Sequence, residues 1–198
     1  MKGKFIVLEG VDGSGKTTQA LKINNYIFEK DKRNNVLITR EPSYSEYGLE
    51  VRRLLKEGKD PKANKERFTE LFVKDRKWHL DNIVIPALGN GIHVVCDRYK
   101  YSTLVYQQAQ GVPLKTLIEM HHGLLIPDIT FYLDIPIEIA LTRIVANEVF
   151  EKESFLREIK KNYLNLIDTL RDKIVRIDTS DSIDKVFENI KVHLDRIL

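Results

Sequence analysis

Residues 10–17 read Gly10-Val11-Asp12-Gly13-Ser14-Gly15-Lys16-Thr17, between the apolar run Phe5-Ile6-Val7-Leu8 and a stretch with helical spacing. Strand, glycine-rich turn, then helix is the context that gives meaning to a G-x-x-x-x-G-K-[ST] match. Glycines let the backbone curl so that successive N–H groups converge, and the helix N-terminus behind them adds its dipole. Such a turn cradles anionic oxygens. Lys16 adds a cation for β- and γ-phosphates, and Thr17 a hydroxyl for Mg2+. Gly10, Val11, Asp12, Gly13, Ser14, Gly15, Lys16, Thr17 and the adjoining Thr18 are therefore expected to bind ATP or GTP. The reaction stays open at this point, because switches, motors and kinases share the motif.

Short β-branched runs alternate with longer amphipathic stretches along the chain, the pattern of a parallel sheet covered on both faces. The expected strands are Phe5–Glu9, Asn35–Arg40, His93–Asp97, Ile129–Asp134 and Ile174–Asp178. Expected helices cover Gly15–Lys30, with Leu21, Ile23, Ile27 and Phe28 at helical spacing, and Lys65–Leu88, with Pro86 as a bend or stop. Others run from Pro113 to about His121, over Ile137–Val145 and over Ile183–Leu198, the last capped by the loop Asp178-Thr179-Ser180-Asp181-Ser182.

The 198 residues suffice for one well-buried domain spanning 1–198. No apolar run approaches the roughly 18 residues that span a bilayer, so no membrane partner is expected. The 32 basic and 29 acidic residues are dispersed, with no basic tract of the kind that binds nucleic acid. Cys96 is the single cysteine; it reads as a buried small hydrophobe and fits a reducing, cytoplasmic setting. No spacing among His79, His93, His121 and His122 suggests a metal site, and structural or surface roles are expected for them.

Four further segments stand in a telling order: Thr18-Gln19 closing the loop, Thr39-Arg40-Glu41-Pro42, Leu71-Phe72-Val73-Lys74-Asp75-Arg76, and Asp97-Arg98-Tyr99 with Ser102-Thr103 and Tyr106-Gln107. With Pro127–Asp134 and Val175–Asp178 they make the chain resemble the thymidylate kinase family nearly end to end. The resemblance implies an α/β, P-loop NTPase three-layer fold: a five-stranded parallel sheet, helices on both faces and a short lid. It implies the reaction ATP + dTMP to ADP + dTDP with Mg2+, and a homodimer.

It also implies roles. Arg40 and Arg98, at strand ends where open parallel sheets bind ligands, become ligands of the acceptor phosphate, which a guanidinium fork suits. Asp97 either holds Mg2+ together with Thr17 or orients Arg98. Asp12 either faces the acceptor sugar and phosphate or fixes the loop as an Asx turn. Phe72 and Arg76, four apart on one helix face, become a ring stacked on the pyrimidine and a donor to its edge; helical periodicity alone makes Phe72 core. Thr103 is assigned to the base N3 edge and Tyr106 to the space beneath the sugar 2′ position. The catalytic set is Lys16, Arg98, Asp97 and Arg143.

Two departures stand out. Where the family's P-loop lacks an arginine after the loop aspartate, as with Gly13 here, its lid usually supplies the arginines. The lid expected at about 144–155 looks short: the usual Asp-Arg pair appears as Glu148-Val149, and Lys152 is its only cation, flanked by Arg143 and Arg157. The second follows Pro42, where Ser43-Tyr44-Ser45 replaces a frequent Gly-Gly-Thr. Two competing readings remain: a kinase for another monophosphate such as dUMP, UMP or AMP, and a P-loop switch with no small acceptor.

Overall fold

The computed structural model describes residues 3–143, 153–170 and 172–198. Five strands, β1 (Phe5–Glu9), β2 (Val36–Arg40), β3 (His93–Asp97), β4 (Ile129–Asp134) and β5 (Ile174–Asp178), form one sheet in the order β2-β3-β1-β4-β5. Every neighbouring pair is parallel. Successive strand side chains point to opposite faces, and this divides the core in two. Phe5 and Val7 of β1 face one cluster; Ile6 and Leu8 face the other.

Helices α1 (Lys16–Lys30) and α9 (Ile183–Leu194) cover the Ile6–Leu8 face. The opposite face carries α4 (Ile85–Gly89), α5 (Lys100–Ala109) and α8 (Glu153–Thr169). Outside the sheet, α2 (Glu46–Lys56) packs on α3 (Lys65–His79) through Val51, Phe68 and Leu71. The short α6 (Leu114–Met120) and α7 (Ile137–Arg143) follow β3 and β4. This is the expected three-layer arrangement.

The differences have physical causes. In α1 the buried stripe is Ala20, Ile23 and Ile27, while Leu21 and Phe28 are 54% and 47% exposed. The i, i+3, i+7 set meets the sheet, and its apolar neighbours point outward. The Lys65–Leu88 helix is interrupted by a π-helical segment, Leu80–Val84, just ahead of Pro86. The wider turn accommodates a residue that has no N–H for the ladder and crowds the preceding turn. Strands β2 and β5 are half-exposed, unlike β1 and β4, because each has only one neighbour. Helices α2 and α8 were not expected. Of the expected lid, residues 144–152, including Glu148, Val149 and Lys152, lie outside the described residues, and Glu153–Phe155 begin α8.

Register then positions the site. Leu8 and Arg40 both pair with Asp97, so the glycine loop, Arg40 and the Asp97-Arg98 step leave the sheet side by side at its carboxyl edge.

Candidate active site

The loop after β1 takes positive φ at Gly10, Gly13 and Gly15. At Gly10 a Cβ would meet the Leu133 carbonyl at 2.8 Å, and at Gly13 it would meet the Ala140 carbonyl at 2.7 Å. Helix α7 thus lies against the loop and leaves no room for a side chain at position 13. Arg143, at the end of α7, places Nη1 3.3 Å from the Gly13 carbonyl and donates to it. A neighbouring helix thus brings a guanidinium beside the loop.

Lys16 is buried; its Nζ donates to the carbonyls of Gly10 (3.1 Å) and Val11 (2.9 Å) and lies 3.7 Å from Asp12 Oδ1. Burial first, and then the charge of Arg98, lower its pKa to about 8. For Asp12, burial works to raise the pKa, but the cations Arg98 and Lys16 outweigh it and hold the carboxyl at about 2. Arg98 Nη2 donates to Asp12 Oδ1 at 2.5 Å, and Nη1 donates to Ser102 Oγ at 3.1 Å. Its guanidinium lies 5.2 Å from the Tyr106 ring centroid. Arg98 has φ 71, the one non-glycine positive φ among the described residues. Such backbone costs about 1–3 kcal/mol and concentrates at functional sites.

Glu9, at the end of β1, is the residue that the motif reading missed. It is buried, and burial raises its pKa. It accepts from the Tyr99 and Ser102 backbone N–H groups (2.8 and 3.1 Å), Ser102 Oγ (2.6 Å) and Tyr163 Oη (2.8 Å). A carboxylate there anchors the start of α5 and hence the Arg98 turn. The signal was present: an acid ending an apolar strand needs buried partners.

Thr17 Oγ1 donates to Asp97 Oδ2 at 3.0 Å, while Asp97 Oδ1 is buried with no partner among the described residues. A hydroxyl beside a carboxylate with an unused oxygen is a suitable donor set for Mg2+.

Two cavities meet here. The larger, about 490 Å3, is lined by Asp12 to Gln19, Arg40, Asp97, Arg98, Arg143 and residues of the loop before α9 and of α9 itself, Thr179 to Val186. The smaller, about 190 Å3, is lined by Glu41, Pro42, Phe72, Arg76, Tyr99, Thr103 and Tyr106, among others. Asp12 and Arg98 line both. Phe72 is half-buried: it packs on the Phe68 cluster and also lines the smaller cavity. Arg40, exposed at the end of β2, lines the larger cavity rather than the smaller.

Arg76 is 1% exposed. Its Nε donates to Glu41 Oε2 (2.7 Å), Nη2 to Thr103 Oγ1 (3.1 Å), and Nη1 to His121 Nε2 (2.6 Å). Glu41 Oε1 meets His79 Nδ1 at 3.1 Å, and His79 Nε2 meets Thr39 Oγ1 at 2.8 Å. Glu41, His79 and Cys96 bring ligand atoms within 4.8 Å of one another. All three already have hydrogen-bond partners, and burial pushes the Cys96 thiol well up, so the trio reads as structural. Asp75 ties the segment after Pro42 to α3. It accepts from Ser43 N (2.8 Å), Ser43 Oγ (2.5 Å) and Ser45 Oγ (2.6 Å). The Ser43-Tyr44-Ser45 departure is thereby explained: both serines bind this carboxylate.

A glycine loop carrying a buried lysine, set at the carboxyl edge of a five-stranded parallel sheet, defines a P-loop NTPase. The thymidylate kinase family model matches residues 8–190. A probable thymidylate kinase of Pyrococcus horikoshii is 38% identical, over 96% of this chain and 95% of its own. The thymidylate kinase of Caldicellulosiruptor saccharolyticus is also 38% identical, over 100% and 98%. The crystal structure of thymidylate kinase from Ehrlichia chaffeensis superposes with a TM-score of 0.79 at 26% identity, covering 98% of this chain and all of that one. The chain belongs to the thymidylate kinase family.

Proposed function

We propose that this chain is a dTMP kinase that transfers the γ-phosphoryl group of ATP in line to dTMP, with Mg2+, giving ADP and dTDP. The observation that carries the reading is the junction of a phosphate-cradling cavity with a ring-sized one at Asp12 and Arg98. Family membership agrees with it.

In this reading Lys16 exchanges its loop carbonyls for β- and γ-phosphate oxygens as ATP enters the cradle. Arg98 and Arg40 hold the acceptor phosphate, and Asp12 fixes Arg98. Phe72 stacks on the pyrimidine, Arg76 donates to its 4-carbonyl, Thr103 meets N3, and Tyr106 fills the space below C2′. An oxygen of the dTMP phosphate attacks the γ-phosphorus, and the bond to the β–γ bridging oxygen breaks, leaving ADP. A phosphate monoester has its second pKa near about 6, so the nucleophile is already ionised and needs no general base. Arg143 offers positive charge beside the transferring group, and the remaining work is positioning. Thr17 and Asp97 would hold Mg2+, which when bound neutralises charge on the β- and γ-phosphates.

We place the chain in the cytoplasm as a homodimer. Support comes from the family and from apolar Trp78 and Ile85, exposed along the long interrupted helix. Calorimetry tests the two-substrate reading: dTMP should saturate the enzyme held with a non-hydrolysable ATP analogue. Heat from the analogue but none from dTMP would instead favour a switch.

A further inference from the structure

The residue that completes the Arg76 cluster, His121, belongs to none of the segments that carry the family resemblance. It stands at the C-terminal end of α6, 5% exposed. Its Nδ1 lies 2.6 Å from the Leu117 carbonyl, and its Nε2 lies 2.6 Å from Arg76 Nη1. A carbonyl can only accept a hydrogen bond, so Nδ1 carries the hydrogen. A guanidinium can only donate, so Nε2 presents its lone pair. One state of the ring satisfies both neighbours: the neutral imidazole protonated at Nδ1. The surroundings favour that state, since burial first and the Arg76 charge second lower the His121 pKa to about 3.

The consequence lies in how Arg76 is held. Glu41 matches its charge along the Nε side, Thr103 takes a hydrogen of Nη2, and the Tyr99 ring lies 5.4 Å from its centre. His121 takes a hydrogen of Nη1 without adding a charge. The guanidinium is therefore fixed on both flanks and remains matched by one carboxylate. Nη1 carries a second hydrogen, and Arg76 lines the smaller cavity. A guanidinium so held presents only donors to the smaller cavity. A pyrimidine with a 4-carbonyl satisfies them, and one with a 4-amino group sets donor against donor, which a buried polar site rejects strongly.

We propose that His121 is a positioning residue for base selection: as a neutral acceptor it holds the Arg76 guanidinium in the orientation that favours 4-oxo over 4-amino pyrimidine monophosphates. The proposal rests on the smaller cavity being the acceptor base site.

The test compares the unmutated enzyme with His121→Leu and His121→Gln, using dTMP and dCMP as acceptors. Glutamine restores both bonds, its amide oxygen accepting from Arg76 and its amide N–H donating to Leu117. His121→Leu should raise KM for dTMP about tenfold, the size expected for one bond to a charged group. The loss should spare kcat and KM for ATP. The dTMP-to-dCMP ratio of kcat/KM should fall by a similar factor, and His121→Gln should recover most of both. A folded His121→Leu enzyme with an unchanged ratio overturns the proposal, as does an equal loss in both variants. Nitrogen-15 NMR of the unmutated protein keeps the question open to test if the leucine variant does not fold: Nε2 should be unprotonated at neutral pH, and a protonated Nε2 contradicts the proposal. An unmutated enzyme that leaves dTMP untouched would defeat the dTMP reading itself, and that failure is visible before any variant is made.

Discussion

Two side chains set the charge balance at the phosphate cradle. Lys16 is buried against loop carbonyls with its pKa lowered to about 8. ATP needs the ammonium form, so above that pH the free enzyme must take up a proton to bind it. The sign follows: kcat/KM for ATP should be flat from pH 6.5 to about 8 and then fall by up to about tenfold per unit. A profile flat to pH 10 would count against a phosphate role for Lys16. The second side chain is Arg143, which reaches the Gly13 carbonyl where a loop arginine has no room. Arg143→Ala should lower kcat about 10²- to 10³-fold, as for loss of a preorganised transition-state cation. Lys152→Ala should stay within about twofold. Equal effects in steady-state kinetics would remove Arg143 from its role.

At the scale of elements, the acceptor side depends on how the segment after β2 is tied to α3. Asp75 accepts three bonds from Ser43 and Ser45, and Ser45 in turn caps α2 by accepting from the Gly48 N–H at 3.0 Å. Asp75→Asn removes the charge and turns one acceptor into a donor facing serine hydroxyls. It should cost about 2–3 kcal/mol, read as a lower urea midpoint at unchanged m-value; an unshifted midpoint would show that α2 is held by other contacts. The strand and loop register was legible in the sequence: β1, β3, β4 and β5 occupy the expected residues, because a buried strand is an apolar run ended by glycine or charge. The phosphate loop was legible for the same local reason. Helices α2 and α8 were legible too, though unassigned: both are amphipathic, and Leu156, Ile159, Tyr163 and Leu166 of α8 recur at helical spacing along its buried side. The roles of Asp75 and His121 were out of reach, and for Glu9 only the need for buried partners could be read, not which residues supply them. Their partners lie 30 to 154 residues away in the chain, apart from the Leu117 carbonyl, and such contacts leave no periodic trace.

For the molecule as a whole, assembly and acceptor choice each carry a prediction. Trp78 and Ile85 are 36% and 48% exposed, and if they form an isologous contact the chain should sediment as a dimer at micromolar concentration. Trp78→Glu should then sediment as a folded monomer; an unmutated monomer would dismiss this surface as the interface. Acceptor choice decides the reaction, because the cradle alone would serve many reactions and the smaller cavity is what would specify one. The direct measurement is ADP release from ATP across dTMP, dUMP, UMP, CMP, AMP and GMP under one set of conditions. dTMP should be turned over fastest, with ribonucleotides disfavoured by Tyr106 below the sugar. Faster turnover of any ribonucleotide than of dTMP would contradict it.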